Sequence, residues 1–282
     1  WSSDVCSSDL ATTKKAAPKK GFQGVRDAIW IIVVCFGLAV AFYEGFLGNG
    51  ANFHGGDNSG EPANLLGTIY KGGIVVPVIF TLLFTVIALG VERFFALRSA
   101  FGKMSLAKFT AEVKVAIKAG DFAKAHQLCD KMQGTVANVV NASLNTYEEM
   151  EKTTGVKKSQ KIAKIQQAHE EATQLEMPTL QMNLPIVATI VTLGTLTALF
   201  GTVVGMIRSF AALAAGGGAD SQALSTGISE ALVNTASGIL TSWFAVVIYN
   251  FFTNKIDKLT YALDEVGYTI AQTYEANHGE EA

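Results

Sequence analysis

Four long apolar runs, separated by polar segments, dominate the pattern of this chain. A helix rises about 1.5 Å per residue, so about 20 apolar residues cross the roughly 30 Å hydrocarbon core of a bilayer. The pattern therefore predicts an all-α fold with polytopic membrane helices. The four predicted spans are residues 28–47, 74–97, 184–215 and 228–252.

The segment between the second and third spans, residues 98–183, has the periodicity of soluble amphipathic helices. Gly120 predicts a helix end, and Asp121 predicts the N-cap of the next helix. A helix over 157–181 is expected to run on into the third span, with a kink near Pro178 or Pro185. We interpret the segment as a small cytoplasmic bundle, and its predicted core residues are Leu106, Phe109, Val113, Ile117, Phe122, Ala125, Leu128, Cys129, Met132, Val136, Val139, Val140, Leu144 and Tyr147. The helix over 157–181 carries Ile162, Ile165, His169, Ala172 and Leu175 toward the membrane.

Lysine and arginine are distributed unevenly among the predicted loops, and they concentrate on the cytoplasmic side of membrane proteins. Residues 11–27 carry five of these cations and residues 98–183 carry twelve, while the loop 216–227 has none. The loop 48–73 has only Lys71, and the tail 253–282 has Lys255 and Lys258 near its start. This predicts a multi-pass membrane protein with both termini and the segment 98–183 cytoplasmic, and with the loops 48–73 and 216–227 on the other side of the membrane.

The N-terminal region allows two interpretations. Residues 1–10 nearly repeat themselves and differ in character from the rest, so we interpret them as a non-native scar. The first span could be a cleaved signal, because residues 39–41 resemble a small-residue cleavage site. We favour an uncleaved anchor, since the apolar run continues through Phe42, Tyr43 and Phe46.

Composition narrows the choice of function. The 282 residues are 49% hydrophobic and only 16% charged, against about 25% charged in soluble domains. The three cysteines have neither a disulfide pattern nor metal-ligand spacing. No nucleophile and base stand at motif spacing, and the glycines at 216–220 fit a turn between spans. We expect neither an enzyme nor a bound cofactor or metal, and no nucleic-acid partner.

The third span has two different sides. Hydroxyls occupy one of them, at Thr189, Thr192, Thr195 and Thr202. The other side carries small residues spaced for close helix packing, Gly194, Ala198, Gly201 and Gly205. The threonine side is therefore free to line a polar path.

The fourth span carries a sharper polar stripe, made of Glu230, Asn234, Ser237 and Thr241. A carboxylate costs about 2.5 to 3.5 kcal/mol at the centre of a membrane helix, so it usually faces a cavity and marks an ion or proton path. Two structural alternatives stay open. Membrane threonines often bond to their own backbone, and Glu230 lies one turn inside the span, where it could reach interfacial water. Arg208 is expected to snorkel to the membrane surface.

Three blocks resemble one family of membrane proteins. They are LFGTVVGMIRSF at 199–210, GISEALVNTASGI at 227–239 and AVVIYNFF at 245–252. Together they resemble the MotA/TolQ/ExbB proton-channel family, and ExbB-like members most closely. The resemblance covers the last two spans and fits a cytoplasmic helical domain between an early span and a terminal pair.

The resemblance implies particular roles and partners. Thr202, Glu230 and Thr235 fall on family positions that line or flank the pore, and the remaining predicted lining residues are Thr195, Asn234, Ser237 and Thr241. It implies a homo-oligomeric ring, expected to be a pentamer, in a bacterial inner membrane, with the loops 48–73 and 216–227 on the periplasmic side. Its pore would hold the single span of an ExbD-like partner, whose membrane aspartate takes up and releases protons. A TonB-like protein would transmit the force to outer-membrane receptors for import.

Departures from the family pattern leave alternatives. The chain reads Thr195-Leu196-Thr197 where the family often has a proline, and Asn234 and Ser237 stand where small apolar residues are common. A first span is also extra to the three-span plan of ExbB and TolQ proteins. The IYN block and the short segment after residue 252 favour an ExbB-like role. A TolQ-like or MotA-like motor subunit and a non-conducting membrane scaffold remain as alternatives.

Overall fold

A computed structural model describes residues 28–58, 60–215 and 221–279. Every regular element in those ranges is a helix, which confirms the all-α prediction. The helices are α1 (Ala28–Phe42, extended by a π-helical turn Tyr43–Leu47), α2 (Leu65–Tyr70), α3 (Val75–Ala100), α4 (Leu106–Lys118), α5 (Phe122–Met132), α6 (Gly134–Lys152), α7 (Lys158–Gln181), α8 (Leu184–Ala215) and α9 (Ser221–Asn277). The suspected scar, the basic N-terminal segment and the predicted glycine turn at 216–220 lie outside the described residues.

Four helices of the described chain are long and apolar enough to cross a membrane. They contain the spans Ala28–Leu47, Val75–Ala100 and Leu184–Ala211, and the fourth lies within Leu224–Asn277. The prediction of four membrane helices is therefore confirmed. Nearly all of the outer surface of α1 is apolar and exposed, as expected of a helix that faces lipid.

The helices α4 to α7 form the predicted bundle, and the second half of α9 packs into it. Gly120 ends α4 with φ of +71°, and the carboxylate of Asp121 caps α5 by accepting a bond of 2.9 Å from the Lys124 amide. Burial raises the pKa of the Cys129 thiol to about 12, so this cysteine is a neutral core side chain. On α7, Ile165 and His169 are buried, while Leu175 is 80% exposed.

The connection between α7 and α8 differs from the predicted kink. Pro178 lies inside α7, and the chain turns at Asn183, which has φ of +66°. Asparagine tolerates this left-handed conformation better than most residues. Two separate helices therefore meet at Asn183, whose amide also donates to the Glu92 carboxylate at 3.3 Å.

The fourth span does not end as a helix where its apolar run ends. α9 continues from the apolar segment 228–252 to Asn277 as one helix of 57 residues. Beyond the membrane part it buries one apolar face in the bundle, through Ile256, Leu259, Leu263, Val266, Ile270 and Tyr274. The end of the apolar run does not coincide with a helix stop, so α9 extends beyond it into the bundle of α4 to α7.

The bundle is expected to lose stability when the pH falls below about 6.5. His169 is buried, and its Nδ1 lies 2.9 Å from the Ser143 hydroxyl. Burial lowers its pKa from the usual 6.5, although the charges of Asp264 and Glu170 and the backbone of Leu263 act in the opposite direction. Because the folded state binds this proton less readily than the unfolded state, stability is full above pH 6.5 and falls as the pH drops toward the lowered pKa. Proteolysis of the purified protein across this pH range measures the loss.

The matched control for this pH dependence is His169→Asn, which removes the titrating group and should flatten the profile. A profile that stays as steep in this variant as in the wild type would show that other groups cause it.

Candidate functional site

α8 and α9 pack against each other along a seam of small residues. A Cβ built on Gly201 would lie 2.8 Å from the Asn234 Cβ, and one on Gly205 would lie 3.1 Å from the Gly227 carbonyl oxygen. Gly194 faces the carbonyl oxygen of Gly238 in the same way, at 3.3 Å. Backbones that approach this closely exclude larger side chains, as is usual for tight helix pairs in lipid.

Three members of the predicted polar stripe lie within the subunit rather than on its surface. Glu230 is 7% exposed, and Asn234 and Thr241 are completely buried. Thr241 donates to the Ser237 carbonyl at 2.9 Å. Both polar side-chain atoms of Asn234 lack a hydrogen-bond partner among the described residues, which costs about 1 to 3 kcal/mol for each such group. Their role as pore-lining residues stays a prediction.

Glu230 is held by an ion pair that the sequence did not predict. The Arg208 guanidinium of α8 donates to the Glu230 carboxylate at 2.8 Å, and the arginine side chain is half exposed while that of the glutamate is buried. The carboxylate also lies against Gly73, which has φ of +78° just before α3. Arg208 therefore binds the only acid of the pair of spans, instead of simply extending to the membrane surface.

The side of α8 that carries the threonines is at least partly exposed. Thr202 lines an open groove of about 450 Å³ with four apolar side chains of α8, Val203, Met206, Ile207 and Phe210. Its hydroxyl donates to the Leu199 carbonyl at 2.6 Å, so its lone pairs are free to accept a proton donor from the groove. Thr195 contacts the Ser242 hydroxyl across the seam at 3.0 Å.

Thr235 is half-buried and donates to the Ala231 carbonyl at 3.0 Å. Both Thr202 and Thr235 therefore donate their hydroxyl protons to the backbone of their own helix, as the structural alternative for membrane threonines expects. What distinguishes Thr202 is the groove beside it.

A second polar cluster was missed by the sequence analysis. Arg93 is completely buried near the end of α3. It holds the adjacent Glu92 carboxylate with two bonds of 2.6 and 2.5 Å and donates to the Thr179 carbonyl of α7 at 3.2 Å. Neighbouring opposite charges at the end of a span resemble ordinary surface residues in sequence, so no local signal marked them.

Gly201→Ala is expected to loosen the α8–α9 pair by about 1 to 3 kcal/mol, because overpacked cores force backbone shifts and the new methyl group would meet the Asn234 Cβ at 2.8 Å. Heating the purified protein in detergent and following its loss of helix measures the effect. Gly37→Ala on α1 is the matched control, since a Cβ there has nothing within 4 Å. Equal midpoints for the two variants would contradict the close seam.

The fold and this seam define a polytopic membrane protein whose last two long helices pair through small residues around a few polar groups. Residues 133–265, from the start of α6 into α9, match the MotA/TolQ/ExbB proton channel family. The chain belongs to this family. This confirms the resemblance drawn from the three sequence blocks.

Individual relatives match parts of the chain. The biopolymer transport protein ExbB-like 3 of Synechocystis sp. is 37% identical over 87 residues, which are 30% of this chain and 41% of the relative. The Tol-Pal system protein TolQ of Pseudomonas aeruginosa is 29% identical over 143 residues, 50% of this chain and 59% of the relative. The chain thus spans about half the length of these relatives.

Proposed function

We propose that the protein is an ExbB-like proton-channel subunit of an inner-membrane motor, which couples the proton motive force to TonB-dependent import across the outer membrane. Family membership supports a proton channel, and the ExbB-like blocks in α8 and α9 favour this member of the family. The observation that carries the proposal is the groove on α8. It is apolar except for Thr202, which suits a helix whose acidic side chain is neutral part of the time.

The proposed mechanism uses this contrast between apolar and polar lining. Several subunits form a ring, expected to be a pentamer, and the groove of each faces the single span of an ExbD-like partner. The partner's aspartate rests against apolar lining when it is protonated, and it requires the hydroxyls of Thr202 and Thr235 when it is ionised. To donate to that carboxylate, the Thr202 hydroxyl must leave the Leu199 carbonyl. Charge state then selects the angular position of the partner.

The energetics limit what one proton can do. A proton that moves through 100 mV releases about 2.3 kcal/mol, which is about the strength of one hydrogen bond to a charged group. Larger mechanical steps therefore require several protons in succession. The TonB-like protein receives this work.

The test is proton flux in sealed vesicles that contain this chain with or without an ExbD-like one-span protein. Acidification is followed with an enclosed pH-sensitive dye after a potential is imposed. Flux that requires both proteins supports the proposal, and vesicles that stay as tight as protein-free ones with both proteins inserted would contradict it and favour the scaffold alternative. Restoration of TonB-dependent uptake, rather than of Tol function, in a strain that lacks its own subunit separates the ExbB-like from the TolQ-like role.

Glu230→Gln is expected to reduce proton flux while the ring stays assembled, because the amide keeps the shape but loses the ion pair with Arg208 at 2.8 Å. Glu230→Ala should weaken assembly as well. Flux in the vesicles and the size of the purified complex are measured for both variants. Normal flux in Glu230→Gln with failure in Glu230→Ala would show that the charge of this residue has no part in conduction.

A further inference from the structure

A cavity of about 370 Å³ lies between the last turns of α3 and the middle of α9, where both helices enter the bundle. This volume is within the range of small-ligand pockets, about 300 to 1,000 Å³. Its lining combines aromatic rings with two cations, one from each helix. The rings include Phe94 and Phe251, and the cations are Arg98 and Lys255.

The two cations are available for a ligand. Arg98 and Lys255 are both exposed, and neither forms an ion pair or a hydrogen bond within the described part of the chain. The Lys255 ammonium lies 5.7 Å from the centre of the Phe251 ring, which keeps it near the cavity through a cation–π contact. Two positive charges beside one cavity favour an anion.

The surroundings of the cavity indicate what kind of anion it is. On α3, Val91, Phe94 and Arg98 follow one another at helical spacing, and all three are exposed. Val247, Phe251 and Lys255 repeat this order on α9, again with exposed side chains. Each helix thus presents an aliphatic side chain, then an aromatic ring, then a cation, in the direction from the membrane to the bundle.

This order matches a phospholipid, whose acyl chain, interfacial region and phosphate follow in the same sequence. We propose that the cavity between α3 and α9 binds an anionic phospholipid of the predicted cytoplasmic leaflet, with its phosphate on Arg98 and Lys255 and its acyl chains along Val91, Phe94, Val247 and Phe251. A free anion would use the two cations but would leave this apolar surface without a ligand. The site is separate from the Thr202 groove and does not depend on proton conduction.

Native mass spectrometry of the full chain in mild detergent tests the site, with palmitoyl-oleoyl phosphatidylglycerol and phosphatidylcholine added in equal amounts. The wild type should retain phosphatidylglycerol preferentially. Arg98→Gln with Lys255→Gln should weaken the binding of phosphatidylglycerol about thirtyfold and leave the binding of phosphatidylcholine unchanged. The factor follows from about 1 kcal/mol for each lost cation, since about 1.4 kcal/mol corresponds to a tenfold change in affinity.

Lys118→Gln with Lys124→Gln is the matched control, because it removes two exposed cations from the bundle. It should bind both lipids as the wild type does. The proposal is overturned if the wild type shows no preference between the two lipids, which is the result expected if a neighbouring subunit covers the cavity. It is also overturned if the double variant at Arg98 and Lys255 keeps the preference. Displacement of the lipid by millimolar inorganic phosphate would also overturn it, since the site would then bind free anions.

Discussion

Thr202→Ala with Thr235→Ala is expected to abolish proton flux and TonB-dependent uptake while the assembled complex stays intact. In the structure the Thr202 hydroxyl donates to the Leu199 carbonyl oxygen at 2.6 Å, and the Thr235 hydroxyl donates to that of Ala231 at 3.0 Å. Because both hydroxyls are donors, their removal leaves no buried donor without a partner. The loss should therefore appear in conduction and not in folding. Dye-reported flux in vesicles and the elution volume of the complex are measured together.

Thr192→Ala is the matched control for this double variant. Thr192 lies on the same helix, is exposed and also donates to its own backbone, to Thr189 at 2.9 Å, but it is not part of the groove beside Thr202. It should conduct as the wild type does. Wild-type flux in the double variant, or in its isosteric counterpart Thr202→Val with Thr235→Val, would show that these threonines only satisfy backbone groups, as the scaffold alternative requires.

Arg93→Met is expected to destabilise the protein by about 3 to 5 kcal/mol, the usual result of removing one partner of a buried ion pair. Arg93 is completely buried and Glu92 is 8% exposed, so the substitution removes the guanidinium that balances a buried carboxylate. It also removes the bond of 3.2 Å to the Thr179 carbonyl that ties α3 to α7. Thermal unfolding in detergent, followed by circular dichroism, measures the loss.

Glu92→Gln combined with Arg93→Met should recover much of that stability, since the double variant removes both charges of the ion pair. Lys108→Met is the exposed comparison. It breaks an ion pair of 3.8 Å to Glu112 whose lysine side chain is 67% exposed, and exposed pairs contribute at most about 1 kcal/mol. A loss in Arg93→Met as small as that in Lys108→Met would contradict the buried pair.

The helices of the bundle could be predicted because soluble packing follows a simple rule. An amphipathic helix must bury its apolar face, so Phe109, Val113 and Ile117 lie in the core as their spacing indicates. The helix end at Gly120 and the N-cap at Asp121 could be predicted because each depends only on neighbouring residues. The four membrane spans were predictable for a similar reason, since length and apolarity alone define them.

The parts that the sequence did not predict depend on contacts between distant segments. The turn at Asn183 is fixed in part by the Glu92 carboxylate of α3, 91 residues away. The pairing of Arg208 with Glu230 requires the close approach of α8 and α9, and each residue alone was consistent with an interfacial position. Asn234 fell on the predicted polar face of α9, but only the packing of Gly201 against it explains its complete burial.

The single helix α9 has a mechanical consequence. At about 1.5 Å per residue its 57 residues extend for about 85 Å, and the part beyond residue 252 is about 37 Å long. If its membrane end leans by about five degrees, the far end shifts by roughly 3 Å, as for a rigid rod of this length. A small tilt of the membrane-crossing part of α9 would thus become a displacement at the far end of the helix bundle, about 37 Å beyond residue 252.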